Sequence, residues 1–137
     1  PKMHDRTFYH SDDSWDFSKW TPDAVVINLG TNDFAIGIPE NNTFINAYID
    51  FIKTLALHYP ATTFFVVDGP DYYGVDFSQQ LDAVVQECID RDLPLHKISF
   101  STIPDGLTGI GQHPNCAQHS HAADQLSTAI AEIMQWH

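Results

Sequence analysis

The sequence predicts an α/β domain built as a parallel sheet with helices on both faces. Three observations lead there. Short apolar runs rich in β-branched and aromatic side chains recur at 24–29, 62–67 and 95–100, the composition of strands buried in a sheet. Between them lie stretches whose apolar residues return at helical spacing. The connections are too long for hairpins and long enough for a helix, so successive strands run parallel through right-handed crossovers.

In chain order, residues 1–22 show no clean period. His4, Tyr9, Trp15, Phe17 and Trp20 are spread through polar residues, which suggests an irregular arm packed on another element. Ser14 is placed to cap a short helix opened by Trp15, Asp16, Phe17 and Ser18, and Pro22 would end it. The strand at 24–29 closes in the turn chemistry of Gly30, Thr31, Asn32 and Asp33. Asn42 or Thr43 then caps a helix to about His58, with Phe44, Tyr48, Phe51, Ile52 and Leu55 on one face. Pro60 stops it. The strand at 62–67 ends in Asp68, Gly69 and Pro70. Asp76 caps a helix over about 77–90, with Gln79 completing a capping box. Its inward face is Phe77, Leu81, Val84, Val85, Cys88 and Ile89. After the third strand, a loop over 101–120 leads to a last helix over about 121–136, burying Ala122, Leu126, Ala129, Ile130 and Ile133.

At 137 residues and 43% hydrophobic content the chain is one domain at most, large enough for a core. No stretch approaches the roughly 18 consecutive apolar residues of a membrane span. Six basic against 18 acidic residues give a formal charge of -12. That charge argues against nucleic acid or an anionic membrane as partner and leaves neutral or cationic substrates open. Cys88 and Cys116 form no CxxC. Two free thiols and one disulfide of a secreted protein both fit, and the reading leans to the disulfide. The chain opens on Pro1 without a leader and is read as beginning inside a longer precursor. The strand at 24–29 has the composition of a central strand, yet nothing before it can pair with it. Such an edge would aggregate, so its partner is expected upstream.

A buried strand ending in small and polar residues is where open α/β sheets place ligand sites. Gly30 lets backbone come close to a ligand, and Asn32 offers an amide donor; alone, the stretch describes only a strand and a turn. The second marked stretch is GIGQHPN, residues 109–115. His113 is held there between glycine and Pro114, at the same end of the sheet. Histidine is the usual general base for a hydroxyl nucleophile, although a surface-loop histidine would look the same. Two other classes compete. His113, Cys116, His119 and His121 offer four zinc-type donors within nine residues, although structural zinc sites usually draw on two separated pairs. A non-catalytic carbohydrate-binding module would use the tryptophans and need neither motif.

Taken together, PDAVVINLGTND (22–33) and GQHPN (111–115), with His119 and a final helix behind, resemble the third and fifth sequence blocks of the SGNH, or GDSL-like, hydrolases. With WDFSKW (15–20) just ahead, the chain is most similar to carbohydrate esterase family 2, acetylesterases that deacetylate plant polysaccharides such as xylan. The resemblance implies a flavodoxin-like three-layer α/β/α sandwich of five parallel strands, of which these would be the third, fourth and fifth. It implies His113 as the catalytic histidine, Asn32 as an oxyanion-hole donor, Gly30 as the residue setting the oxyanion loop and Asp33 as a brace. No cofactor is implied. The family's nucleophile is a serine in a Gly-Asp-Ser block after the first strand, and no such block stands here. The block-two glycine, a second oxyanion donor, is missing too. The chain thus resembles the C-terminal part of a secreted esterase domain whose serine lies outside it, inactive alone. Where the triad's acid usually stands, two or three residues before the histidine, this sequence has Gly111 and Ile110. A Ser-His dyad oriented by the Gln112 carbonyl is the matching arrangement, with Asp105 as the substitute acid. The implied partners are an acetylated carbohydrate and, for the strand at 24–29, the N-terminal part of its own domain or another copy.

Overall fold

A computed structural model describes residues 4–8, 10–35, 37–69 and 74–136. Three strands, β1 (Ala24–Ile27), β2 (Thr63–Asp68) and β3 (Leu95–Ser99), form a parallel sheet in the order β1-β2-β3. The register sets Val26 beside Phe65 and Phe65 beside His96. Successive β2 side chains point to opposite faces, and they divide the core accordingly. Phe64 and Val66 join Ile27 and the side chains of α2 (Asn41–His58) and α3 (Gly74–Ile89). Phe65 and Val67 meet Ile98 and the partly buried Leu126, Ala129, Ile130 and Met134 of α4 (Cys116–Met134). Helices therefore cover both faces, as the strand-helix alternation requires.

The central strand of the described sheet is β2, whose Phe64, Phe65, Val66 and Val67 are at most 1% exposed. The 24–29 run forms an edge: β1 stops at Ile27, and Val26 and Leu29 are 39% and 45% exposed. A short helix, α1 (Thr31–Phe34), replaces the expected turn and seats Phe34 against Phe44 and Phe77. In the arm, Phe17 stacks on His58 at 3.8 Å between ring centroids. Its helix is a 3₁₀ turn, Phe17–Lys19, capped by Asp16 rather than Ser14. Hydrogen bonds from the Ser18 hydroxyl and amide hold the Asp16 carboxyl below the ordinary range.

Several helix ends fall elsewhere than the sequence suggests. The α2 cap is Glu40, not Asn42 or Thr43; Thr43 instead donates its hydroxyl to the Glu40 carboxylate at 3.2 Å. Tertiary contact decides this, because the Asn41 side chain accepts from Gln80 of α3 at 2.9 Å. Helix α3 begins at Gly74, so Asp76 lies in its first turn, where its charge suits the helix dipole, instead of capping it. Ile89 at its other end is 53% exposed rather than inward. Helix α4 begins at Cys116, about a turn and a half before the expected start, and takes Asn115 as cap. Its inner face carries Met134, while Ile133 is 39% exposed. The two cysteines are free thiols. The sheet stands between them: Cys88 is buried among the α2 and α3 side chains, and Cys116 opens α4 on the other face. Burial pushes the Cys88 thiol up. Tyr9 and Pro70 lie outside the described residues.

Candidate active site

All three strands point their carboxyl ends at a cavity of about 410 Å³. Asn28, Thr31 and Asn32 line it from the β1 end, Gly69 from the β2 end and Phe100 from the β3 end. Gly111, His113 and Pro114 close it, with Gln118, His119 and Ala122 of α4. Asn32 and His113, separated by 81 positions in the sequence, thus share one wall-bound space at the place where parallel sheets gather ligands. Among the described residues, no serine lines it.

The local structure explains each placement. Gly30 precedes α1 at φ +115°, a left-handed conformation open to glycine, and presents Asn32 in the first turn of that helix. A Cβ on Gly30 would meet the Phe77 ring at 2.6 Å, so the crowding comes from the core rather than from a ligand. The Asp33 amide donates to the Gly30 carbonyl at 2.9 Å, bracing the same turn through its backbone. His113 follows a 3₁₀ turn, Ile110–Gln112. Its amide donates to the Ile110 carbonyl at 3.3 Å, and its carbonyl accepts from Gly109 at 3.0 Å. A Cβ on Gly109 would stand 2.6 Å from that carbonyl oxygen, which requires glycine there. Both Asn32 and His113 are exposed. Asp105 sits apart, at φ +55° in the turn before, and its carbonyl accepts from Thr108 and Asn115.

A second, larger cavity of about 630 Å³ lies on the other side of the same β1 end. It shares Asn28, Thr31 and Asn32 and is otherwise lined by His4, Leu29, Gly30, Asp33, Phe44, Ala47, Tyr48 and Phe51. Tyr48 donates to the Leu29 carbonyl at 3.2 Å, and burial drives its phenol well above the usual range. Behind the smaller cavity, Asp68 ends β2 and meets Lys97 at 2.9 Å and the Ser78 hydroxyl at 2.6 Å. Lys97 also bonds Ser78 and Asp82. Burial opposes ionisation of Asp68, yet the hydrogen bonds from Ser78, Ser99 and Lys97 outweigh it and hold its carboxyl low.

The zinc arrangement does not form. Cys116, His119 and His121 all ride on α4, and His121 turns to the Ser101 hydroxyl at 2.9 Å. Among the described residues, no three metal-capable side chains converge. Sequence reading missed Asn28, Thr31, Phe100 and Gln118 as lining residues, and Asn115 as the α4 cap. Asn115 was findable, since asparagine is among the preferred cap residues. Gln118 was not, because its partners lie 15 and 17 positions away.

No protein-family model matches the chain. It is 34% identical over 145 residues to the cellulase/esterase CelE of Acetivibrio thermocellus, covering 99% of this chain and 18% of that protein. It is 30% identical over 123 residues to the acetylxylan esterase / glucomannan deacetylase of Cellvibrio japonicus, covering 89% of this chain and 34% of that one. The chain therefore spans about a third or less of the curated relatives it matches. A family two carbohydrate esterase from Clostridium thermocellum, solved with cellohexaose, superposes with a TM-score of 0.84 at 30% identity, over 93% of this chain and 41% of that one. Sequence and fold agree along nearly the whole chain, which is similar to part of these carbohydrate esterases, a family two member among them.

Proposed function

We propose that this chain is the part of a carbohydrate acetylesterase domain that carries the general base and one oxyanion donor, and that the nucleophilic serine comes from outside it. The observation that carries this reading is a cavity with Asn32 on one wall and His113 on the other and, among the described residues, no serine lining it. In the reaction, the serine hydroxyl attacks the acetyl carbonyl while His113 takes its proton. The Asn32 amide donates to the oxyanion of the tetrahedral intermediate. Collapse breaks the ester bond, and His113 returns the proton to the departing sugar hydroxyl. Water, activated by His113, then cleaves the acyl-serine, releasing acetate and restoring the serine. The Gln112 carbonyl orients the imidazole, with Asp105 as the competing acid.

An acetylated plant polysaccharide is the substrate class. The formal charge of -12 suits an uncharged sugar better than any polyanion, and the relatives' names speak of acetylxylan and glucomannan. Secretion follows from such a substrate. The free edge of β1, with Val26 and Leu29 exposed, is taken up by a further strand from the N-terminal part of the domain, or by a second copy. The test is acetate release from acetylated xylan by the full-length protein and its His113→Ala variant. The variant should lose on the order of 10⁴-fold or more in kcat. A variant of near-normal activity would remove His113 from the chemistry, and binding without acetate release would favour a carbohydrate-binding module.

A further inference from the structure

We infer that Gln118 is the positioning residue of the His113 loop, an inference that rests on the proposed role of His113 as general base. The apolar side chains of α4 are only partly buried, yet Gln118 is fully buried. Burying an amide is costly unless each polar atom finds a partner, and here each does. Its Oε1 accepts from the Ile103 amide at 2.9 Å, and its Nε2 donates to the Ser101 carbonyl at 2.9 Å. Its backbone amide donates to the Asn115 side-chain oxygen at 2.9 Å. Asn115 in turn donates to the Asp105 carbonyl at 2.8 Å and to the Thr108 hydroxyl at 3.0 Å.

This connected set spans both stems of the segment between β3 and α4. One stem, Ser101 to Thr108, leaves the sheet. The other, His113 to Gln118, enters the helix. A connection this long, with only the short 3₁₀ turn Ile110–Gln112 in it, would ordinarily be mobile. Gln118 substitutes for the missing ladder by pinning the outgoing stem to the first turn of α4, and His113 stands three residues before that turn. The opposite wall of the cavity, Asn28 and Asn32, belongs to the β1 end and does not depend on it. Losing the amide should therefore move the base relative to a fixed oxyanion donor, and a displacement of about 1 Å costs roughly 10²-fold in rate.

The experiment compares Gln118→Met, Gln118→Glu and His113→Ala in the full-length esterase, with the folded fraction measured in the same buffers. Gln118→Met should lower kcat by about 10²-fold and leave KM within about 3-fold. Gln118→Glu should be impaired at pH 8 and recover relative to wild type as pH falls. A protonated carboxyl can again donate to the Ser101 carbonyl, whereas the ionised form repels it, and burial raises the pH of that change. Folded Gln118→Met with normal kcat, or kcat falling only with the folded fraction, beside an inactive His113→Ala, would overturn the positioning role alone. An active His113→Ala would overturn the base assignment and this inference with it.

Discussion

In the proposed reaction Asn32 and His113 do different work, and their variants should fail differently. As the proposed oxyanion donor, Asn32 would donate only to charge that develops in the transition state. In the full-length protein, Asn32→Ala should lower kcat by about 10²- to 10³-fold with little change in KM; kinetics on an aryl acetate reads both constants, and an unchanged kcat would exclude the donor role. Asp105 distinguishes dyad from triad. Its contacts run through its carbonyl, which a carboxylate-to-amide change leaves alone. Asp105→Asn should then keep kcat within a few-fold, whereas losing a triad carboxylate costs on the order of 10⁴. At this scale the sequence showed Asn32 and His113 because each stands in a short run of turn-forming residues. It hid Gln118, whose role exists only once Ser101 and Ile103 have folded back onto α4.

Elements were legible in kind more than in extent. The three strands and the apolar faces of α2 and α3 follow from β-branched runs and helical spacing, since both patterns are local. The α2 start has a contact no local pattern carries, Gln80 on the Asn41 side chain, whereas the α4 cap, Asn115, is a residue type that local chemistry favours there. For α4 the cap is testable: Asn115→Ala should cost about 1 kcal/mol from the lost cap, and more through the Asp105 and Thr108 contacts, measured by denaturant unfolding. The β2–β3 join is testable by pH. Asp68 is held below its ordinary value of 3.8 when folded. Its stabilising contribution is therefore complete above that value and is lost as pH falls through the lower, folded one. Asp68→Asn should lose roughly 1–3 kcal/mol at neutral pH, since Lys97 keeps Asp82. Below about pH 4 the difference from wild type should shrink. A gap that stays constant into acid would show that the ion pair with Lys97 is not what Asp68 contributes.

At the scale of the molecule, two features converge on the β1 edge. The strand carries an apolar sequence at an open side, with Val26 and Leu29 exposed, and the larger apolar cavity opens beside its end. The smaller cavity is lined by His113 and Asn32, the proposed base and oxyanion donor, but, among the described residues, by no serine. A segment that added a strand along β1 and brought a serine to its carboxyl end would complete sheet and chemistry together. The fold class was legible because alternating strands and helices permit few topologies, while the β1 edge was legible only as a need, since the sequence names no partner for it. The most direct measurement is hydrolysis of an aryl acetate by this chain alone, by the upstream part of the full-length protein alone, and by their mixture, with particle size followed alongside. The chain alone should stay at background and self-associate, and the mixture should gain esterase activity as a one-to-one complex forms. A monomeric chain that hydrolyses the ester by itself would contradict the account and require a nucleophile within these 137 residues.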